Sequence, residues 1–163
     1  MDSLVLKGAN TKRVTQNKAV HSCPELAQGR FRQLALQGLT IESDTKVLDL
    51  CCGSGQATQV LVKYSQNVTG LDASPLSLKR ARQNVPQAQY VEAFAEKMPF
   101  ADNEFDVVHT SVALHEMQSG QLQQIIKEVY RVLKPGGVFT LVDFHPSHQP
   151  AIRAWVVAVF AIV

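Results

Sequence analysis

The sequence is poor in cysteine, and its 163 residues include only Cys23, Cys51 and Cys52. They form no CxxC pair and no cysteine–histidine cluster at zinc-binding spacing, so no metal site is predicted. Neighbours such as Cys51 and Cys52 rarely bridge each other, because the geometry is strained. Since no disulfide framework is indicated, we expect a reducing, cytoplasmic compartment.

Charge of one sign and long apolar runs are also scarce. The 16 basic and 14 acidic residues leave a formal net charge of +2, which gives no reason to expect a nucleic-acid partner. No apolar run reaches the ~20 residues of a membrane-spanning helix, and the first residues lack the apolar core of a secretory signal.

Hydrophobic residues make up 45% of the chain, enough for a buried core. We expect a flexible lead-in over residues 1–20 and a single domain over 21–163.

What is present is an alternation of strands and helices. Five apolar segments predict strands: KVLDL, NVTGLD, AQYVEA, FDVVHTSVA and VFTLVDF. Four segments predict helices before and between them: CPELAQGRFRQLALQG, QATQVLVKYS, PLSLKRARQN and GQLQQIIKEVYRVL. This order predicts an α/β fold of three layers, a mostly parallel Rossmann-like sheet with helices on both faces. Ligands of such sheets bind at the carboxyl ends of the strands.

Glycines and acids occupy two of those strand ends. Gly53 and Gly55 follow the first strand, where they either let the backbone approach a ligand or simply form a tight turn. Asp72 ends the second strand, where an acid can accept hydrogen bonds from vicinal ribose hydroxyls. Together they favour a ligand of the adenosine type.

Asp49 decides between adenosine ligands. Thr58 stands where a dinucleotide fingerprint usually has its third glycine or an alanine, and a carboxylate beside the loop would repel a pyrophosphate. S-adenosylmethionine (SAM) carries a sulfonium and an ammonium and no phosphate, so Asp49 favours it over NAD. The alternative role for Asp49 is to tie down the amides of the loop.

Four segments between Lys46 and Phe144 resemble, in order, the motifs of class I SAM-dependent methyltransferases of the small-molecule "type 11" group. The segments are VLDLCCGSG, GLDASPLSLKRAR, AEKMPFADNEFDVV and RVLKPGGVFTLVDF. LCCGSG and VDFHPSHQP also resemble the methyltransferases of ubiquinone and menaquinone synthesis. The resemblance implies SAM as the cofactor and a small-molecule methyl acceptor, quinone-like or lipophilic in that subgroup.

The resemblance also implies roles for individual residues. Asp49 would lie near the methionine end of the cofactor, and Cys51 stands where the family usually has its first glycine. A thiol is not needed for methyl transfer, so Cys51 and Cys52 are interpreted as inert small residues. The residues expected to contact the cofactor are Asp49, Cys51, Gly53, Gly55, Asp72, Ala73, Phe94 and Ala95.

One segment departs from the family pattern. Ala93-Phe94-Ala95 stands where Gly-Asp-Ala is usual, and Phe94 cannot accept a hydrogen bond from the adenine amino group. Phe94 is instead expected to pack against the ring, with the Ala95 N–H at the adenine edge.

No catalytic residue is assigned. His115 and Glu116 follow the fourth strand and are candidates for acceptor positioning or proton removal. Asp143, His145 and His148 follow the fifth strand and are candidates for the substrate mouth. For His109 a structural role on a buried strand is favoured.

The apolar segment AWVVAVFAIV at the C-terminus raises a separate question. The family usually completes its sheet with two more strands, one of them antiparallel, and this segment is too short for both. We therefore expect the last two strands to be missing through C-terminal truncation, with the segment starting a helix. A rival hypothesis is that it contacts a membrane surface or a second subunit. The alternatives to a small-molecule methyltransferase are a catalytically impaired SAM-binding or interaction module and a dinucleotide oxidoreductase.

Overall fold

The computed structural model describes residues 32–33, 35–145 and 154–161, the last segment and residues 144–145 by their backbone alone. The predicted lead-in and most of the first predicted helix lie outside these residues. The strands are β1 (Lys46–Leu50), β2 (Asn67–Asp72), β3 (Gln89–Glu92), β4 (Phe105–Ser111), β5 (Leu133–His145) and β6 (Ala154–Ala161). The helices are α1 (Thr58–Leu61), α2 (Pro75–Asn84) and α3 (Ser119–Val132), with a 3₁₀ turn at Leu114–Glu116.

The six strands form one sheet in the order β3-β2-β1-β4-β5-β6. The first five run parallel, which confirms the predicted mostly parallel α/β fold. The direction of winding reverses between β1 and β4. In open parallel sheets a ligand crevice forms at this reversal, outside the carboxyl ends of the strands.

A separate apolar core lies on each face of the sheet. On one face the side chains of α3 pack against alternate residues of β1, β4 and β5; this core includes Leu48, Leu50, Val108, Ile125, Val129 and Phe139. On the other face α1 packs against residues of β1, β2 and β4; this core includes Leu36, Val47, Val60, Leu61, Val68 and Val107. Because side chains alternate along a strand, Asp49 and His109 point to the α1 face, next to Val47 and Val107.

Local signals set the two ends of α2. Ser74 caps its first turn by accepting a hydrogen bond from the Ser77 N–H at 3.3 Å, and Pro75 occupies the first helical position, where the missing N–H has no cost. The predicted helix over residues 56–65 is reduced to α1. Hydrogen bonds from Lys63 N to Val60 O and from Tyr64 N to Leu61 O are of the tighter i→i−3 type, so α-helical geometry ends after Leu61.

The strand after α3 begins earlier than the predicted Val138. Leu133 already pairs with Phe105, and the next pair joins Val138 to Val107, so the intervening Lys-Pro-Gly-Gly residues form an irregularity within β5. A Cβ on Gly137 would lie 2.8 Å from the Lys134 carbonyl oxygen, which explains why only glycine fits there.

The prediction for the C-terminal segment was wrong in one respect. Ala154–Ala161 is a strand, not a helix, and it pairs antiparallel with β5 along eight residue pairs. The segment is rich in valine, which favours extended backbone, and pairing satisfies the hydrogen-bonding groups along the edge of β5. One of the two strands expected to be missing is therefore present. No helix in the described part of the chain is long and apolar enough to cross a membrane.

Candidate active site

A cavity of about 230 Å³ opens where β1 and β4 end, at the point where the winding of the sheet reverses. Its walls come from the loop after β1, from the end of β4 and from the segment before β1. The lining residues are Arg32, Asp49, Cys51, Cys52, Gly53, Gln56, Ala57, Ser111 and Val112. Three of the predicted cofactor residues, Asp49, Cys51 and Gly53, therefore share this cavity.

Asp49 is the buried acid of the cavity, with 1% of its surface exposed. Its Oδ2 accepts a hydrogen bond from the Thr58 hydroxyl at 2.5 Å. Its Oδ1 has no hydrogen-bond partner among the described residues. Burial raises the pKa of this carboxyl to about 7, although the Thr58 hydrogen bond and the charge of Arg32 act in the opposite direction. A buried acceptor without a donor is costly, so a cation or donor in the cavity would stabilise the carboxylate.

The loop after β1 adopts left-handed backbone at three of its positions. Gly53 and Gly55 have φ of 55° and 90°, and Cys51 has φ of 58°. At Gly55 a Cβ would also lie 3.3 Å from Val85 Cγ2, so Val85 would have to move by a few tenths of an ångström to accept it. Left-handed backbone at a residue other than glycine costs roughly 1–2 kcal/mol, so Cys51 is a strained residue on the cavity wall.

The two adjacent cysteines have different surroundings. Cys52 is buried, and its Sγ lies 2.9 Å from the position that a Cβ on Gly70 would take. Cys51 is partly buried and packs against the core on the α3 face. Burial, together with the charges of Asp72 and Asp49, raises the pKa of the Cys51 thiol to about 12, and burial raises that of Cys52 as well. Protonated thiols are poor nucleophiles, in line with their interpretation as inert residues.

Asp72 ties the glycine loop to the second strand. Its Oδ2 accepts a hydrogen bond from the Gly53 N–H at 2.9 Å, and its Oδ1 accepts one from the Ser74 N–H at 2.9 Å. A carboxylate has about four lone-pair positions, so each oxygen retains one for a further donor. Asp72, the acid predicted to bind ribose, thus fixes the glycine loop beside it.

A histidine and an aspartate meet at the ends of β4 and β5. His115 Nδ1 lies 2.6 Å from Asp143 Oδ1, and the His115 backbone N–H donates to Asp143 Oδ2 at 3.0 Å. The Asp143 carboxylate is 8% exposed and the His115 side chain 25% exposed. Glu116 is 79% exposed and lies 3.7 Å from His115 Nε2. The sequence suggested His115 and Asp143 separately and did not predict their pairing.

Comparison with known proteins identifies the fold's family. A family described as "methyltransferase domain" matches residues 47–137, more than half of the chain. The chain belongs to the methyltransferase domain family. This match confirms the resemblance to class I SAM-dependent methyltransferases that the four motifs indicated.

Two curated relatives and one solved structure illustrate the similarity. The chain is 62% identical over 120 residues to an uncharacterized methyltransferase of Synechocystis, covering 73% of the chain and 57% of that protein. It is 37% identical over 113 residues to demethylmenaquinone methyltransferase of Chlorobaculum parvum, covering 69% and 46%. The YcgJ protein of Bacillus subtilis superposes with a TM-score of 0.66 at 27% identity, covering 75% and 53%. The methyltransferase domain thus spans about half the length of the curated relatives it matches.

The residues predicted at the adenine end lie apart from the cavity of this methyltransferase domain. Ala73 is exposed, and Phe94 is 65% exposed. Ala95 is buried, and its side chain packs in the core on the α3 face. The Ala93 N–H donates to the Asp72 carbonyl oxygen at 3.2 Å, which holds this segment beside the end of β2. A contact of Phe94 or Ala95 with adenine stays a prediction.

His109 has the surroundings of a structural residue. It is 1% exposed, and its Nδ1 lies 2.7 Å from the Thr140 hydroxyl. Burial lowers its pKa to about 4, so the ring is neutral at physiological pH. Its Nε2 is buried and has no hydrogen-bond partner among the described residues, so the structural role favoured from the sequence stays a prediction.

Six cavity or cavity-supporting residues escaped the sequence reasoning: Arg32, Gln56, Ala57, Thr58, Ser111 and Val112. Thr58 had been considered only as a departure from a glycine fingerprint, although its hydroxyl holds Asp49. Val112 has φ of 58°, which is unfavourable for a β-branched residue, and nothing in its sequence neighbourhood signals this. Arg32 reaches the cavity from a segment before β1, and such a long-range contact leaves no local pattern.

Proposed function

We propose that this methyltransferase domain binds SAM at the loop between β1 and α1 and transfers its methyl group to a small-molecule acceptor. The observation that carries the proposal is the buried Oδ1 of Asp49 on the cavity wall, which lacks a donor among the described residues. A cationic ligand would supply what this carboxyl lacks. SAM supplies a methyl group already activated on a sulfonium.

The donor set of the cavity suits the methionine end of SAM. That end is a zwitterion with an ammonium and a carboxylate, and the cavity wall offers one carboxylate, Asp49, and one guanidinium, Arg32. Asp49 would hold the cationic side and Arg32 the anionic side. Asp72 retains two acceptor positions for ribose hydroxyls beyond its bonds to Gly53 and Ser74.

A quinone-like acceptor is the more specific part of the proposal. It is supported by the motifs LCCGSG and VDFHPSHQP and by similarity to a protein named demethylmenaquinone methyltransferase. A cytoplasmic location and a peripheral contact with a membrane or a second subunit also stay predictions.

The cofactor role of Asp72 can be tested by calorimetry with SAM. Replacing Asp72 with Ala should weaken SAM binding by about 10- to 100-fold, because hydrogen bonds to a charged group contribute ~1.5–3 kcal/mol each. Asp44→Ala is the matched control, since Asp44 is exposed and lies before β1, outside the cavity. NAD should not bind to the unmodified chain. Unchanged SAM affinity in Asp72→Ala, or a preference for NAD, would contradict the proposal.

A non-catalytic SAM-binding module is the second candidate. It is favoured by Phe94, which replaces a hydrogen-bonding acid and is 65% exposed. Incubation with methyl-labelled SAM and a cell extract distinguishes the two functions: SAM binding without labelled product would favour the module.

A further inference from the structure

We propose that His115, positioned by Asp143, is the general base that removes a proton from a hydroxyl group of the methyl acceptor, so that the acceptor is a phenol or hydroquinone. The inference rests on the proposed function and adds the acceptor class and the residue that activates it.

The first step is the geometry of the pair. One carboxylate holds His115 at two points, the ring Nδ1 at 2.6 Å and the backbone N–H at 3.0 Å. Two contacts from a carboxylate that is 8% exposed fix both the turn and the orientation of the ring. The carboxylate also places the ring proton on Nδ1, so the basic lone pair of the neutral imidazole is on Nε2.

The second step is the position of the pair in the fold. The 3₁₀ turn with His115 follows directly after Ser111 and Val112, which line the cavity. Asp143 lies on the neighbouring strand, where the Val112 N–H donates to the Val142 carbonyl oxygen at 2.7 Å. The pair thus lies on the β4–β5 side of the cavity, whereas Asp72 lies on the β2 side. The pair borders the cavity through Ser111 and Val112 and does not line it itself. With the methionine end of SAM held at Asp49, the proposed base would lie on the side opposite the proposed ribose site at Asp72.

The third step is the chemistry. A bond forms between the acceptor and the methyl carbon while the bond between that carbon and sulfur breaks, and the hydroxyl proton moves to His115 Nε2. The positive charge of the sulfonium ends on the imidazolium, where the Asp143 carboxylate stabilises it, and sulfur leaves as a neutral thioether. A neutral amine is nucleophilic without a base, whereas a phenol with a pKa near 10 is mostly un-ionised at neutral pH and gains from one.

The surrounding charges are consistent with this role. Two carboxyl groups of the described residues lie within 4 Å of the ring nitrogens, Asp143 on β5 and Glu116 on the turn itself. Because Glu116 is 79% exposed, solvent screens its charge, and Asp143 is both the closer and the more buried of the two.

The test uses the full chain, methyl-labelled SAM and three probes: the hydroquinone 1,4-dihydroxynaphthalene, its dimethyl ether and 1-naphthylamine. The diol should be methylated, the diether should not, and the amine should react more slowly than the diol. His115→Gln should lower kcat by about 10²-fold or more while the SAM affinity measured by calorimetry is unchanged. Asp143→Asn should lower kcat at least tenfold with an unchanged KM for SAM. Gln118→Ala is the control, because Gln118 is exposed and its side chain forms no capping bond.

The pH profile separates a base from a structural residue. Without the base, the rate of His115→Gln should rise about tenfold per pH unit between pH 8 and pH 10, as the diol ionises by itself. The rate of the unmodified chain should change little over that range. A merely structural role would lower both profiles in parallel.

Failure of the base assignment can be distinguished from failure of the proposed function. If SAM does not bind, the proposed function fails. If SAM binds but the amine is preferred, the diol is not methylated, or His115→Gln keeps the original rate, the base assignment fails while SAM binding stands. Thermal unfolding of each variant verifies that a lost rate reflects chemistry rather than a lost fold.

Discussion

At the scale of the residue, Asp49 combines burial with an incomplete set of hydrogen bonds. Among the described residues only Thr58 donates to it through a side chain, and burial raises its pKa from 3.8 to about 7. Between about pH 4 and pH 7 the folded chain therefore keeps a proton on Asp49 that the unfolded chain releases. The stability that this group contributes therefore falls as the pH rises from about 4 through the folded pKa near 7, above which the folded state has to hold a buried charge.

A cation next to Asp49 reverses this cost, and SAM binding should therefore depend on pH. The ligand favours the carboxylate, so binding releases the proton, and the affinity should rise about tenfold between pH 6 and pH 8 for a pKa near 7. The fixed charges acting on Asp49 are Arg32, which favours ionisation, and Asp72, which opposes it. Calorimetry at several pH values measures the effect.

Asp49→Asn is the control for that experiment, since asparagine has the same shape but does not titrate. Its SAM affinity should be lower and nearly independent of pH, apart from the titration of SAM itself. An equal pH dependence in Asp49→Asn and in the unmodified chain would assign the proton to another group.

At the scale of the element, the sequence predicted most accurately the bounds of those helices and strands that local contacts determine. β1, β2 and α2 have the predicted bounds because a short apolar run, a serine cap and a proline act within a few residues. α1 was overestimated because helical periodicity does not reveal a change to i→i−3 hydrogen bonds. The early start of β5 depends on Phe105 pairing with Leu133 across 28 positions of sequence, which no local pattern records.

Cys52 packs closely against β2 at Gly70, and the importance of this packing for stability can be tested. Gly70 pairs with Asp49 on one side and Tyr90 on the other, and a Cβ there would lie 2.9 Å from both Cys52 Sγ and the Tyr90 ring. Gly70→Ala should lower the free energy of unfolding by about 1–3 kcal/mol through overpacking. Chemical denaturation measures this loss.

Gly120→Ala is the matched control, because nothing lies within 4 Å of a Cβ at that position in the first turn of α3. It should be neutral or slightly stabilising. In a Cys52→Ala background the cost of Gly70→Ala should shrink, since one of the two close contacts is removed. Equal effects at Gly70 and Gly120 would show that the close packing around β2 is not limiting.

At the scale of the whole molecule, the candidate site forms because the strand order brings residues distant in sequence to one end of the sheet. Asp49 and Gly53 on the cavity wall, and Asp72 beside them, could be singled out from the sequence because the glycine loop and the second strand have recognisable motifs. Their contact with a cofactor stays a prediction. The pairing of His115 with Asp143 could not be predicted, because it requires that β4 and β5 lie side by side with their ends level. Val112 and Arg32 escaped for the same reason: their place at the cavity follows from the assembled sheet.

The pairing of β6 with β5 protects one edge of the parallel strands. β6 covers β5 along eight pairs, so removing residues 154–163 would leave the hydrogen-bonding groups of β5 as an open edge. The shortened chain should unfold at least about 4 °C lower, which corresponds to one or two kcal/mol in a domain of this size, and should associate as its concentration rises. Light scattering and thermal unfolding measure both effects, with removal of residues 1–10 as the control of equal length. If the shortened chain stays monomeric and equally stable while losing affinity for liposomes that bind the full chain, the segment serves the membrane contact and not the sheet.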